Sequence, residues 1–332
     1  MDGVSVIVPT WNRSGLLPLT LTSILRQREV DLHVIVVDDG STEDVPAVVS
    51  RAEDRRVRVL RHETPRGVST ARNSGLAAAT TRWVAFCDDD DLWSPEKLRR
   101  QVRAADAAGA QWAYTGCVYV NPDLVVQSGS PPLGPEAMRA ALRRYNAMPA
   151  GASNVTARTE LLRRLGGFDA SLTHLPDWDL WLRLAGSGAP GCVPDPLVGY
   201  RLHGGNASFR TAEMLAEVDG IERRHGIVAD RSRFHRHLAR LCLRVGRQGE
   251  AVGHLARALA SPDGWNPGDV LADARLLRER ASEGIRRRLG RPRSPEAEAR
   301  RWQAARRRDP NAAWKAGAQD WIDELARSVA GR

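Results

Sequence analysis

Four strand-like runs, the apolar VSVIVP (4–9), LHVIVV (32–37) and WVAFC (83–87) and the mixed VRVLRH (57–62), alternate with segments of helical spacing near residues 14–28, 43–53 and 69–79. Continuous apolar runs of this length mark strands covered on both faces, because a half-exposed strand would alternate apolar and polar residues. Strands that alternate with helices predict an α/β domain, with a doubly wound, mostly parallel sheet flanked by helices. Ligands of such sheets bind beyond the carboxyl ends of the strands. Three of the four runs end there in polar clusters: Thr10–Arg13, Asp38–Ser41 and Asp88–Asp91. The pattern therefore expects loops nearly eighty residues apart in sequence to line one cleft.

The pattern continues with a helix over 95–108, a strand over 112–120, a Gly/Pro-rich loop near 128–135, and a short helix over 138–145. A strand over 152–157 follows, then helices over 159–165 and 178–185. Pro194 to Ser208 reads as an irregular polar loop able to lie over the cleft. Beyond about residue 210 the chain turns to arginine, alanine and leucine, with no strand pattern. One domain over 1–210 and an all-helical C-terminal region over 211–332 are expected. Within the latter, 233–246 and 250–259 read as a helix pair like one unit of a helical repeat. Pro267 to Arg288 reads as another helix, and two more are expected between 295 and 329, with Trp302, Trp314 and Trp321 available for packing.

Charge is concentrated in one place. The formal net charge is +9, yet 286–308 alone holds ten arginines against Glu296 and Glu298. Such a segment suits peripheral contact with an anionic membrane, or is simply a solvated arginine-rich helix. Specific nucleic-acid recognition is not expected, because only Trp302 is interleaved and no recognition motif is present. Cys87, Cys117, Cys192 and Cys242 lie far apart, with neither a C-x-x-C pair nor a zinc rhythm, and are expected as reduced thiols. Without a signal-peptide pattern or an apolar run of about 20 residues, a cytoplasmic protein is expected, resting on a membrane surface if it works at one.

Asp88-Asp89-Asp90-Asp91 directly after an apolar run is the sharpest local feature. Four adjacent carboxylates repel one another unless a cation or hydrogen-bond donors offset the charge. A divalent cation with oxygen ligands suits them, and so does an acidic N-cap for the helix near Pro95. Asp38-Asp39-Gly40-Ser41 can accept hydrogen bonds from a nucleobase or ribose, or can form an ordinary Asp-Gly turn. The chain has no G-x-G-x-x-G after its first strand and no G-x-x-x-x-G-K-[ST], so dinucleotide and P-loop readings lose their main support.

Taken in order, the stretches VSVIVPTWNR (4–13), VIVVDDGSTED (34–44), PRGVSTARNSGL (65–76), WVAFCDDDDLWSPEKL (83–98), GGFDASLTHLPDWDLWLRLA (166–185) and YRLHGGNAS (200–208) resemble the glycosyltransferase family 2 enzymes of the GT-A fold. The resemblance covers about the first 210 residues. It implies an inverting transferase that moves a sugar from a nucleotide-diphosphate donor, a UDP-sugar by default, to the hydroxyl of a saccharide, lipid-linked or small-molecule acceptor. By the same resemblance, Pro9, Thr10, Asn12, Arg13, Asp39 and Arg72 border the donor nucleotide. Asp88 and Asp90 are the acids of the family's D-x-D motif, with Asp89 facing the donor sugar. Asp90, Asp88 and His203 are expected to hold Mn2+ or Mg2+, and Arg201 to touch a phosphate. His203 also reads as an ordinary loop histidine.

Asp177 matches the general base of the family's E-D motif, with Asp179 as the second candidate. Pro176 replaces the usual preceding glutamate. Both acids stand where helix caps stand as well. Trp178 and Trp181 suit either an acceptor pocket or the core. One displacement on the anomeric carbon needs a base and a stabilised leaving group, and no covalent intermediate. Two other readings are weighed: a nucleotidyltransferase that builds a nucleotide sugar, for which PTWNRSG is the wrong loop after the first strand, and a degenerate, non-catalytic transferase acting as a scaffold, against which the intact set of acids speaks. The sequence leaves oligomeric state open.

Overall fold

The computed structural model describes residues 3–203, 211–244, 247–261, 264–271, 273–274, 278 and 311–330. The basic segment 286–308 and the end of the polar loop, 204–208, lie outside the described residues. The chain divides into two compact units, Met1–His203 with Ala313–Arg332, and Gly204–Ala312.

The first unit begins β1 (Gly3–Thr10), α1 (Leu17–Leu25), β2 (Asp31–Asp38), α2 (Val45–Ser50), β3 (Val57–Arg61), α3 (Val68–Ala78) and β4 (Trp83–Phe86). There the apolar runs became strands and the spacing between them became helices. Asp44 caps α2 by accepting from the Ala47 amide at 2.9 Å. β1, β2, β3 and β4 are parallel to their neighbours, in the order β3-β2-β1-β4. Val4, Val6 and Val8 of β1 are fully buried together with Leu17, Leu21 and Ile24 of α1 and Val34 and Val36 of β2.

Past β4 the sheet changes character. β5 (Leu92–Trp93), α4 (Lys97–Ala107), β6 (Trp112–Val120), β7 (Val126–Ser130), α5 (Pro135–Leu142), a 3-10 turn at Gly151–Asn154, β8 (Thr156–Arg158), α6 (Thr159–Arg164), α7 (Pro176–Ser187) and β9 (Gly191–Arg201) follow. The order runs β4-β8-β6-β9-β5, with β7 beside β6. β6 and β9 are parallel, but β4–β8, β6–β8, β6–β7 and β5–β9 are antiparallel. The expectation of a doubly wound, mostly parallel sheet is thus overturned. The sheet is mixed and curls 200° into a half-barrel. An apolar run reports that a strand is buried and says nothing of its direction, and three-residue β8 fills the free edge of β4 in the reverse sense. The Gly/Pro-rich stretch near 128–135 supplies part of β7. Residues 194–201, read as irregular loop, belong to eleven-residue β9, which accommodates Pro194 and Pro196 where its register with β6 shifts.

The last described helix, α11 (Ala312–Ala330), has all but its first residue in the same unit as the sheet. Ala318 and Ile322 are buried against Val118, Val120 and Val126 of β6 and β7. The expected regions 1–210 and 211–332 therefore overlap the two units without coinciding with them. The second unit contains α8 (Thr211–His225), α9 (Arg231–Arg244) and α10 (Gln248–Ala260). α9 and α10 pack through Ala239, Cys242, Leu243, Ala251 and Leu255. Among the described residues, no helix is long and apolar enough to cross a membrane.

Candidate active site

The carboxyl ends of β1 and β4 meet because the strands are parallel neighbours in register, Ile7 opposite Phe86. Cys87 then donates its amide to the Ile7 carbonyl at 3.0 Å, and Asp88–Asp91 emerge beside Thr10. Donors offset the first three of the four adjacent carboxylates, and Asp91 accepts the Arg201 amide at 3.4 Å. Arg72 of α3 donates Nη2 to Asp88 Oδ1 at 2.5 Å. Thr10 donates its hydroxyl to Asp89 Oδ2 at 2.7 Å. Arg13 donates Nη1 to Asp90 Oδ2 at 2.7 Å and reaches Asp89 Oδ1 at 3.4 Å. His203 Nε2 lies 2.9 Å from the same Asp90 oxygen.

Burial governs the electrostatics of this run. It pushes the Asp89 carboxyl up to about 7, with Asp90 adding to the effect and Thr10 and Arg13 opposing it. Asp91, fully buried, is pushed well above the ordinary carboxylate range by burial and then by Asp90 and Asp88. Burial works against the charge on Arg13, but Asp89 and Asp90 outweigh it and raise its pKa. The buried Cys87 thiol is likewise pushed up, so it is no nucleophile.

Arg201, the last residue of β9, is buried, and its guanidinium donates to the carbonyls of Asp90, Leu16 (2.9 Å) and Asp89 (3.4 Å) and to the Thr20 hydroxyl (2.9 Å). These bonds tie the acidic loop to the loop after β1. Burial pulls its pKa below the ordinary arginine value against the pull of Asp90 and Asp91.

The Asp38–Ser41 loop forms the neighbouring wall. Asp39 accepts from the amides of Arg66 (2.9 Å) and Gly67 (2.8 Å), and from His62 Nδ1 at 2.7 Å. His62 Nε2 is in turn 2.9 Å from Ser74 Oγ. Gly40 has φ +74°, and a Cβ there would sit 2.7 Å from backbone atoms of Thr64 and Pro65, so the close approach of the two loops requires glycine. Asn12, also at positive φ, accepts from the Thr42 amide at 2.8 Å and donates its own amide to Ser41 Oγ. Pro9 is buried at the end of β1.

Asp177 and Asp179 stand on the first turn of α7 and differ sharply. Asp179 is buried and holds Arg183 through Oδ2 at 2.6 and 2.9 Å. Asp177 is half-buried and accepts from Asn146 Nδ2 at 3.0 Å and from the Trp178 amide at 2.8 Å. Its pKa is raised, first by burial, with Asp88 adding to the rise and Asn146 and Arg72 opposing it. Asp177 is therefore in electrostatic reach of the Arg72–Asp88 pair from ninety residues away. Trp178 and Trp181 are fully buried, Trp178 donating Nε1 to the Leu142 carbonyl at 2.7 Å and Trp181 lying 6.3 Å from the Phe168 ring, so both belong to the core.

Asn146, His62, Ser74 and Ser153, which accepts the Asp88 amide at 2.9 Å, were not singled out by the sequence. His62, Ser74 and Ser153 lie inside stretches read as strand or motif, but a polar residue there carries no sign of the partner it will meet, and Asn146 lies in a loop with no pattern. Among the described residues no three His, Cys, Asp or Glu side chains are already gathered around one point as a metal cage.

A family model described as glycosyl transferase family 2 matches residues 5–166. The succinoglycan biosynthesis protein ExoO of Rhizobium meliloti (strain 1021) is 32% identical over 249 residues, covering 70% of this chain and 68% of that protein. WfaP of Escherichia coli, named a UDP-Glc:alpha-D-GlcNAc-diphosphoundecaprenol beta-1,3-glucosyltransferase, is 26% identical over 234 residues, covering 69% of this chain and 89% of that one. Among solved structures, S. aureus TarS 1-349 in complex with UDP-GlcNAc matches with a TM-score of 0.55 at 23% identity, a likeness of fold, over 66% of this chain and 64% of that one. This chain thus spans a little under two thirds of the solved chain it matches.

Proposed function

Because the chain belongs to glycosyl transferase family 2, and is by that membership a glycosyltransferase, we propose that it moves a sugar from a nucleoside-diphosphate donor to an acceptor hydroxyl, with inversion at the anomeric carbon. One observation carries this reading. The acidic run carries Arg13, Arg72 and His203 on its carboxylates, and the 3-10 turn Gly151–Asn154 links it to half-buried Asp177: Ser153 accepts the Asp88 amide at 2.9 Å, and a Cβ on Gly151 would lie 3.1 Å from Asp177 Oδ2.

In this reading Thr10, Asn12, Arg13, Asp39 and Arg72 border the donor nucleotide, and Asp89 faces the donor sugar. Asp39 orders the 62–67 loop through its three bonds and so shapes the wall against which a nucleobase stacks. Arg201 serves by holding the acidic loop through its carbonyls. Two carboxylates and an imidazole, Asp88, Asp90 and His203, are donors that Mg2+ or Mn2+ accepts, and Mg2+ commonly takes only one or two protein carboxylates beside substrate phosphates. Asp88 and Asp90 hold the guanidinium groups of Arg72 and Arg13, which a cation bound there would share or displace. When bound, the cation offsets the negative charge that develops on the departing diphosphate.

Asp177 is the proposed base. Its raised pKa makes it a stronger proton acceptor than an ordinary aspartate, yet it is ionised above that pKa. Asn146 fixes one of its oxygens, and the Trp178 amide the other. Asp179, occupied by Arg183, is the weaker candidate. A UDP-sugar is the proposed donor, supported by the name of the WfaP relative and by the TarS complex. A saccharide or lipid-linked acceptor is supported by the names of ExoO and WfaP.

The test is turnover of a panel of UDP-, TDP- and GDP-sugars by the full chain with Mn2+, Mg2+ or a chelator. Asp177→Asn is expected to lose about 10²–10⁴-fold in kcat while retaining donor binding, and Asp90→Ala to lose cation-dependent UDP binding. The wild-type rate is expected to fall on acidification through a pH above the ordinary aspartate value of 3.8. Undiminished turnover by Asp177→Asn would remove the base. Full activity in chelator would remove the cation.

A further inference from the structure

We infer that α11 is a positioning element of the donor site, in which Trp321 and Trp314 set how β9 presents Arg201 and His203 to the acidic run. The inference rests on the donor reading above. It concerns a helix outside residues 5–166, the span that the family model matches.

Two indoles are seated on strand glycines. A Cβ at Gly116 of β6 would lie 2.4 Å from Trp314 Cζ2, and one at Gly129 of β7 2.6 Å from Trp314 Cζ3. A Cβ at Gly199 of β9 would lie 3.3 Å from Trp321 Cη2. Both indole N–H groups bond to β9 backbone, Trp314 Nε1 to the Pro194 carbonyl at 2.7 Å and Trp321 Nε1 to the Pro196 carbonyl at 3.2 Å. The two prolines lack amides, and this is where the β9–β6 register shifts, so the strand is least constrained by its own ladder there. Gln319 adds a two-way bond to the turn before β7, donating to the Leu124 carbonyl at 3.0 Å and accepting from the Val126 amide at 2.8 Å.

The path from this seat to the acids is short. Gly199 pairs with Leu92, the residue after Asp91, and with Val118. Two residues along β9, Arg201 donates to the carbonyls of Asp89 and Asp90; two further, His203 meets the Asp90 carboxylate. An indole wedged against Gly199 therefore fixes the strand that closes the site from above, while touching none of the acids. A side chain that only filled space would need neither the glycine seats nor the two carbonyl bonds.

The experiment uses the full chain, with Trp321→Ala, the milder Trp321→Phe and Gly199→Ala, and Thr159→Ala as a control that removes a buried hydroxyl bond to the Thr81 carbonyl, ahead of β4 and so at the end of that strand away from the acids. Two quantities are read: amide hydrogen exchange over 88–93 and 198–203, and UDP affinity by calorimetry with Mn2+. Trp321→Ala is expected to lose exchange protection at least tenfold in both segments and to weaken UDP binding about tenfold or more. Trp321→Phe, which keeps an aromatic ring but loses the Pro196 bond and part of the packing on Gly199, and Gly199→Ala, which displaces the indole slightly, are expected to fall between it and the wild type. Thr159→Ala is expected to lower the melting temperature and change neither quantity. Unchanged exchange at 88–93 in all three variants at Trp321 and Gly199, or equal changes in the Thr159→Ala control, would overturn the inference. A wild type that binds no UDP with either cation would defeat the donor reading instead, and the exchange data would still decide whether α11 holds the acidic loop.

Discussion

Lys97 gives the most quantitative prediction. It is completely buried at the start of α4, with Nζ 2.8 Å from Gln101 Oε1 and 3.8 Å from the centre of the Trp93 ring. Burial lowers its pKa from 10.5 to about 7, with Cys87 opposing. Between those two values the unfolded chain binds a proton that the folded chain does not, so stability rises with pH across the window from 7 to 10.5. Linkage with these two values puts the cost of burying Lys97 at about 4 kcal/mol at pH 7.5 and about 1 kcal/mol at pH 9.5. Lys97→Met keeps the length of the side chain and gives up one hydrogen bond of about 1 kcal/mol; Gln101 Oε1 still accepts from Thr156 at 2.9 Å. The variant is therefore expected to be more stable than the wild type by about 3 kcal/mol at pH 7.5, and to lose between about 2 and 3 kcal/mol of that advantage by pH 9.5. Urea unfolding of both proteins at the two pH values measures the difference, in which every titration common to both cancels. A difference that does not change with pH would show that the folded protein keeps Lys97 charged, and the argument from burial would fail.

The other predictions concern single contacts. Arg183→Ala leaves the buried Asp179 without its guanidinium and is expected to cost about 3–5 kcal/mol in urea unfolding. Adding Asp179→Ala should restore part of that loss, whereas strictly additive losses would show that the two are uncoupled. Asp44→Ala removes the α2 cap and is expected to cost about 1 kcal/mol, seen as a fall of about 2–4 °C in melting temperature. His62→Ala takes one of three donors from Asp39 and its link to Ser74, and is expected to weaken UDP binding about tenfold, since a hydrogen bond to a charged group is worth about 1.5–3 kcal/mol. Wild-type UDP affinity in that variant would mean that the 62–67 loop does not shape the nucleotide wall.

Much of the site was legible because its residues sit at the ends of patterned elements. The runs that became β1, β2 and β4 are buried on both faces, and that burial is what makes them continuous in sequence. Their polar ends had to come together once the strands paired in parallel, and Thr10, Asp39 and Asp88 follow from that alone. Two-residue β5 and proline-bearing β9 were illegible, the first too short to show a period and the second breaking the rule that prolines avoid strands, while the strand read over 152–157 caught β8 only at its end, its first residues forming the 3-10 turn.

The sequence by itself determined that the runs at β1–β4 and β6 are strands, where acid follows strand, and that no strand pattern follows about residue 210. Only the tertiary structure decided that half of the sheet's pairings are antiparallel and that Arg201 turns inward onto carbonyls. It alone set Asp177 against Asn146 and the Gly151–Asn154 turn that holds the Asp88 amide while Asp179 closes on Arg183, and it alone returned Trp314 and Trp321 to glycines of β6, β7 and β9. The reason is physical: periodicity records how much of an element is covered, whereas strand direction, side-chain aim and the partner of a covered face depend on neighbours that lie far away along the chain.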